Sequence, residues 1–501
     1  MQDRTQDAEN GEIYVSMENL FLYTVNELQG NLGYLMTDHF ASHTLRVLLV
    51  VLSGRPLAGS GTTSLLQSRK KEKIDTVSGT SAPQLDTMTT RTVPESFGTA
   101  LDKMVSGTIA GLDTTYLRAL ATHPLGNPVL QLLLELEFSA SSEQKAKDAN
   151  SLFRKLLPDD PLVQGTTSAS FITSLLYDPV GSRLLETIIQ FAPGKVFKSM
   201  YRDLFREKMG SLVKNETAGF VLTRVLERLS QENLQHAVEQ ICPQIPTLIE
   251  RSQTSVIKTM IERCAVRQVQ TDLIANAILR GYNGERTGIL LKMLKLNTEN
   301  VESMAPERKK LLEGHDTGKI HASLLAQAML DTPGPLREMI TESIITMTTE
   351  GLMSMAKSRT ATHVLQKALT CSGQTKLFLR QTVQRFQGHL SELALDPVAS
   401  HGVDTFWTAT ESLFFIRERF AQELLEHETS IKDSFSGRAV WRNWMMDLYK
   451  RRRLEWISQA RGPTGGVNGT DLKAADNHKV TAKSGIELAR ERYAASKANR
   501  R

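Results

Sequence analysis

Asp178-Pro-Val-Gly-Ser-Arg-Leu-Leu-Glu186 decides the fold, because it recurs. Asp38-His-Phe-Ala-Ser-His-Thr-Leu-Arg46 and Asp396-Pro-Val-Ala-Ser-His-Gly-Val-Asp404 follow the same plan. So do Ser358-Arg-Thr-Ala-Thr-His-Val-Leu-Gln366, His123-Pro-Leu-Gly-Asn-Pro-Val-Leu-Gln131 and Asn215-Glu-Thr-Ala-Gly-Phe-Val-Leu-Thr223. Weaker copies end at Thr259, Lys292, Gln327 and Trp441. Each copy reads as a polar or turn residue, two spacers, a small residue, a small polar residue, a variable residue, two mostly aliphatic residues and a mostly polar one.

The small column is Ala41, Gly126, Gly181, Ala218, Thr254, Thr287, Ala322, Ala361, Ala399 and Ser436. In the next column, from Ser182 onward, the steps are 37, 36, 33, 35, 39, 38 and 37 residues. A fixed period of this length marks a repeat architecture in which each unit cannot bury its apolar face alone. Asp38, Asp178, Asn215, Ser358, Asp396 and Asp433 are suited to cap a helix three residues before the small position. The apolar pairs that follow, such as Leu184-Leu185 and Ile188-Ile189, fall at helical spacing. The expected fold is an all-α, curved superhelical solenoid.

Composition agrees. Only 6% of the 501 residues are aromatic, and a chain rich in Leu, Ala, Glu, Arg and Lys favours helices over strands. Cys242, Cys264 and Cys371 form no disulfide framework and no zinc-ligand pair. With a polar start, no signal peptide is expected. The apolar run Val47–Leu52 is too short to span a bilayer.

The net charge of +5 is unevenly placed. Residues 450–501 hold thirteen basic and five acidic side chains, so the rest of the chain is slightly acidic. Four adjacent cations, Lys450, Arg451, Arg452 and Arg453, suggest a localisation or nucleic-acid patch. Residues 54–98 are rich in Ser, Thr, Gly and Pro around a basic knot at Arg69–Lys73. They read as a flexible insertion, whose removal restores the period across the 85-residue step between Ser42 and Asn127. The expected organisation is a first repeat over 1–53, the insertion over 54–98, a repeat array with a C-terminal cap over 99–456, and a disordered basic tail over 457–501. Trp441, Trp444 and Trp456 are expected to pack the cap.

No catalytic constellation is visible. Gly59-Ser-Gly-Thr-Thr-Ser64 lacks the Gly-Lys-Ser/Thr ending of a phosphate loop, and no metal-spaced Cys/His cluster or nucleophile motif is present. The chain is therefore expected to be a non-enzyme with no metal, no cofactor, no small-molecule substrate and no membrane association.

The chemistry lies in the repeat columns. The small polar residue and the residue four on share a helix face, with the intervening residue beside them. Two such side chains can touch a base edge while the third stacks on a base. Candidate RNA contacts are Ser42, His43 and Arg46; Asn127 and Gln131; Ser182, Arg183 and Glu186; Phe220; Ser323 and Gln327; Thr362, His363 and Gln366; and Ser400 and His401. Val256, Ile289 and Leu324 occupy the stacking position but suit the core better. Arg46, Arg183, Lys214, Arg224 and Lys367 are candidate phosphate contacts.

This trio and the period resemble Pumilio-family RNA-binding repeats. Gly126-Asn-Pro-Val-Leu-Gln131 lies nearest the usual helix of that family. The segment Val440–Trp456, with Glu12–Phe21 and Gly33–His43, further resembles the nucleolar protein nine family of Pumilio-like ribosome-biogenesis factors. The resemblance implies a protein of the nucleus and nucleolus, with precursor rRNA and pre-ribosomal particle proteins as partners and a role in small-subunit (18S) rRNA processing and assembly. It implies uracil for Asn127/Gln131, guanine for Ser182/Glu186 and adenine for Ser323/Gln327. Members of the family begin with further repeat sequence, so it also implies a chain truncated at its N-terminus. A monomer is expected. The alternative from the pattern alone is a HEAT/armadillo-like scaffold that binds proteins.

Overall fold

A computed structural model describes residues 15–55, 91–145, 147–296 and 306–460, with backbone alone over 140–145 and 306–316. Among the described residues there are helices and no strands. Most helices fall into three-helix units: a short lead helix, an inner helix, and an outer helix that returns along the far side.

The inner helices form the ladder that positions every candidate site residue. They are α1 (Ala41–Leu52), α2 (Gly126–Lys145), α3 (Gly181–Phe191), α4 (Glu216–Arg228), α5 (Ser255–Arg267), α6 (Pro306–Asp331), α7 (Thr362–Thr370), α8 (Ala399–Ala409) and α9 (Phe435–Asn443). Each packs directly on the next. Their apolar rows are removed from solvent; Leu184, Leu185, Ile188 and Ile189 of α3 are all fully buried. The buried side chains run on from unit to unit as one core, as expected of a solenoid whose units share their apolar faces.

The caps explain the turn into each inner helix. The Asp178 carboxylate accepts from the backbone N–H of Val180 at 2.9 Å and Gly181 at 2.6 Å. Asp38 and Asp396 do the same in their units. Asn215 and Ser358 accept from the N–H three residues on, and in the Asn127 unit the His123 ring takes that place. These bonds satisfy donors that a helix start otherwise leaves unmet. The small residue is needed because the lead helix lies against it: a Cβ on Gly181 would lie 2.6 Å from Leu175 Cδ2.

Two expectations about the repeat are corrected. The copy ending at Lys292 is not an inner helix. Residues Ile289–Leu294 form a short lead helix packed against α6 and the outer helix Pro335–Thr346, with the Leu290 N–H donating to Ser343 Oγ at 3.1 Å. Helix α5 meets α6 directly, so the ladder steps 68 residues from Ser255 to Ser323. The Thr287-Gly288 pair imitates the motif, but Gly288 sits at φ 81° as a turn before a six-residue helix.

The second correction concerns the last unit. Its cap is Ser434, which accepts from the Gly437 N–H at 3.2 Å, and not Asp433. A Cβ on Gly437 would lie 2.3 Å from Ile431 O, the same six-residue offset as Gly181 to Leu175. Gly437, rather than Ser436, is therefore the small residue, and every position of this unit moves on by one.

The outer helix of the first unit, Glu95–Gly111, begins inside the stretch read as insertion. Across that stretch the ends are tied: the Arg91 N–H donates to Gly54 O at 2.7 Å and Arg91 Nη2 to Arg55 O at 2.7 Å. Residues 56–90, with the basic knot, and the tail from 461 lie outside the described residues. Residues 457–460 belong to the helix Arg453–Ala460 rather than to the tail.

The cap packs as expected. Trp444 and Trp456 are fully buried and Trp441 nearly so. Trp444 Nε1 donates to Val403 O at 3.2 Å and Trp456 Nε1 to Trp444 O at 2.9 Å. Arg417, only 3% exposed, lies 4.3 Å from the Trp407 ring centroid and donates to Trp407 O and Ala460 O.

Candidate nucleic-acid interface

The three trio columns take different environments. Most of the small polar column is buried: Ser42, Asn127, Ser182, Ser323, Thr362 and Ser400 all lie at 6% exposure or less, while Ser255 is half-buried. The sequence reading placed them on an exposed face. In the structure the neighbouring inner helix covers them, and the stacking column carries most of the exposed surface. His43, Arg183, Phe220 and His401 are exposed, and His363 is half-buried. Val256 is buried, as expected of a core residue, while Leu324 is half-buried.

The buried column has a role through the column four residues on. Gln366 Nε2 donates to Thr362 Oγ1 at 3.3 Å, and Gln327 Nε2 to Ser323 Oγ at 3.2 Å. Gln131 Nε2 donates to Asn127 Oδ1, whose own amide donates to Ala121 O. Helical (i, i+4) spacing makes these contacts possible. Each glutamine is half-buried, held from below and presented to the inner surface. Neighbouring units add further holds. Thr187 Oγ1 donates to Gln131 Oε1 at 3.3 Å, and Arg224 reaches Glu186 at 3.5 Å.

Burial pushes the Glu186 carboxyl above its ordinary range, partly offset by the adjacent Arg224 guanidinium. Burial also lowers the His363 imidazole, and the neighbouring His401 adds to that effect. Both effects favour the neutral ring, which suits stacking as a plain aromatic.

The candidate phosphate contacts separate sharply. Arg46 is 8% exposed, with Nε donating to Ser42 O at 3.2 Å. Arg224 pairs with Glu186 and Glu227, and Lys367 with Asp331 at 2.8 Å. Arg183 and Lys214 stay exposed. Other arginines join units through helix-end carbonyls: Arg228 to Ile189 O, Arg251 to Lys214 O, Arg337 to Ser372 O and Arg385 to Ile345 O. Cations near the ladder thus serve the solenoid as much as any ligand.

The cationic run is also partly neutralised within the fold. Lys450 pairs with Glu428 at 2.7 Å, Arg452 with Glu455 at 3.3 Å and Arg453 with Glu418. Arg451 is exposed. The run therefore braces the cap as well as carrying charge.

The shifted register of the last unit alters its trio. Arg438, Ala439 and Arg442 occupy the three columns, and Trp441 is a core residue equivalent to Leu185. Sequence reasoning missed Arg442. The signal was present in the three-residue spacing from Ser434 to Gly437, the same as from Asp178 to Gly181.

Residues 1–439 match the NOP9-like PUF repeat domain. Nucleolar protein 9 of Neosartorya fischeri is 49% identical over 487 residues, which span 97% of this chain and 68% of that protein. Nucleolar protein 9 of Paracoccidioides brasiliensis is 50% identical over 488 residues, spanning 97% and 70%. The chain belongs to the nucleolar protein 9 family. That family is one of Pumilio-type RNA-binding proteins of the nucleolus, not of enzymes. The solved structure of APUM23 with GGAUUUGACGG superposes with a TM-score of 0.70 at 21% identity, covering 90% of this chain and 81% of that one. It has the same Pumilio-type solenoid fold. As in the nucleolar protein 9 family, this chain acts as an RNA-binding protein of ribosome biogenesis. Among the described residues, no helix is long and apolar enough to cross a membrane.

Proposed function

We propose that the inner surface binds single-stranded segments of precursor rRNA, and that the chain acts in processing and assembly of the small-subunit (18S) rRNA within pre-ribosomal particles, working as a monomer beside other particle proteins. The supporting observation is the repeated placement of His43, Arg183, Phe220, His363 and His401. All five occupy the same position of successive or nearby inner helices; His363 stands beside Gln366, held by Thr362 one turn below, and Arg183 beside Glu186, which Arg224 reaches from the next unit. Planar side chains in such a row suit stacking on unpaired bases. The buried column sets the rotamers of Gln131, Gln327 and Gln366, and Arg224 holds Glu186, so base choice rests on these four residues. The register of the last unit adds Arg442 to that set.

A gel-shift series across precursor rRNA fragments tests the first step. Binding confined to fragments around one region of the small-subunit precursor is expected. No shift at low salt by folded protein would overturn RNA binding and favour a protein-binding scaffold. Crosslinking in cells, with bound sites sequenced, locates the target; crosslinks confined to other RNAs would overturn the small-subunit assignment.

A further inference from the structure

Helix α5 breaks the row of stacking side chains. Its stacking residue Val256 and the residue three positions on, Thr259, are both buried. In their place the inner surface opens as a cleft of about 130 Å³, several times what one ordered water needs. Phe220 of α4 and His321 of α6 line it from the two flanking units, and both are exposed. Gln253, in the loop entering α5, also lines it. The Gln253 Oε1 atom is buried and has no hydrogen-bond partner. Position 219, where most other units carry Ser, Thr or Asn, is glycine; a Cβ there would meet only Val256 Cγ2, at 3.7 Å.

The lining carries no lysine or arginine and one carboxylate, Glu216, so it repels a phosphate. Two rings suit a flat, neutral guest. A buried acceptor left unmet is costly, and a donor from the guest removes the cost. We propose that this cleft takes one nucleobase bearing an exocyclic amino group, turned in edge-first so that the amine donates to Gln253 Oε1. This rests on the inner surface binding RNA. It makes the α5 unit a pocket where its neighbours are platforms, and it selects against uracil at that step. Selection arises because uracil has no projecting amine: its one edge donor, the ring N3–H, is flanked by two carbonyls that face the Gln253 oxygen acceptor to acceptor.

The full chain is titrated with labelled 15-nucleotide oligouridylates. Each carries a single adenosine, or a single purine riboside lacking the amine, moved along the strand. At one position adenosine is expected to bind about fivefold or more tighter than both uridine and purine riboside. In Gln253→Leu that preference disappears at this position, while effects at other positions remain. Gly219→Ala, which narrows the cleft without touching the amide, weakens the same preference. An unchanged thermal midpoint shows that each variant is folded. The proposal is overturned if adenosine and purine riboside bind alike at every position, or if their difference survives in Gln253→Leu. In either case binding of the series leaves the RNA-binding role standing. Failure to bind these strands and every precursor rRNA fragment overturns both.

Discussion

Gln366 donates from Nε2 to the hydroxyl of Thr362, one turn earlier on α7, at 3.3 Å. Thr362 is 3% exposed, so the bond fixes from within the fold a side chain that faces the inner surface. Thr362→Val keeps the shape and removes the acceptor. The freed glutamine amide can turn to water, so the stability cost should stay below about 1 kcal/mol. Regained rotamer freedom must be lost again on binding, so RNA affinity should fall about two- to fivefold. Gln366→Ala should cost more, up to about tenfold. Gel-shift titrations of both variants check this; unchanged affinity in both would remove the brace from any account of RNA binding.

The cap yields a prediction about stability. Trp444 is fully buried between Trp407, at 5.3 Å between ring centroids, and Phe420, at 6.2 Å. Trp444→Ala should cost about 3–5 kcal/mol. In a solenoid that loss is local, because each unit is stabilised chiefly by its neighbours. Hydrogen exchange should therefore speed up over α8, α9 and the helix Arg453–Ala460, while α3 and α4 keep their protection. Uniform destabilisation along the chain would contradict a modular array.

How far these features could be read beforehand depended on their range. The ladder was legible because a cap such as Asp178, a small residue such as Gly181 and a buried pair such as Leu184-Leu185 are all local to one helix start. Ile289–Leu294 misled because the same local pattern also opens a lead helix, and only its packing against Pro335–Thr346 separates the two. Burial of Ser182 and Thr362 was hidden because it depends on the neighbouring inner helix. Arg224 and Lys367 read as phosphate ligands because their carboxylate partners, Glu186 and Asp331, lie in adjacent units of the array. The Gln253 cleft could not be foreseen, since it needs Phe220, Gln253 and His321 from three successive units.

Glu186 carries a pH prediction. Burial raises its folded pKa above the ordinary 4.5, so the folded state holds a proton more tightly than the unfolded chain. Its contribution to stability is then fully present below the unfolded pKa and is lost as pH rises through the folded one. Glu186→Gln should therefore match the parent near pH 4 and become equal or more stable toward pH 7. Arg224 retains Glu227 at 3.1 Å as a partner. Denaturant midpoints of both proteins from pH 4 to 7 check the sign; a variant increasingly less stable toward pH 7 would show that the Arg224 ion pair outweighs burial.

Salt dependence follows from the fate of the cations. Each phosphate neutralised on a single strand contributes about −0.7 to the slope of log K against log salt. Arg46, Arg224 and Lys367 have internal partners, and Arg228, Arg251, Arg337 and Arg385 are bonded to helix-end carbonyls of neighbouring units. Lys214 is exposed, and Arg183, in the stacking row, keeps an exposed side chain. Binding of a short single strand to residues 15–460, retaining the described ladder, should therefore show a shallow slope, about −2 or weaker, as expected from two or three phosphate contacts. Lys214→Gln should make the slope less steep by about 0.7. Lys367→Gln should leave the slope unchanged and cost less than about 1 kcal/mol of stability by breaking its pair with Asp331. A parent slope steeper than about −5 would mean that the internally paired arginines and lysines leave their partners to meet the RNA backbone.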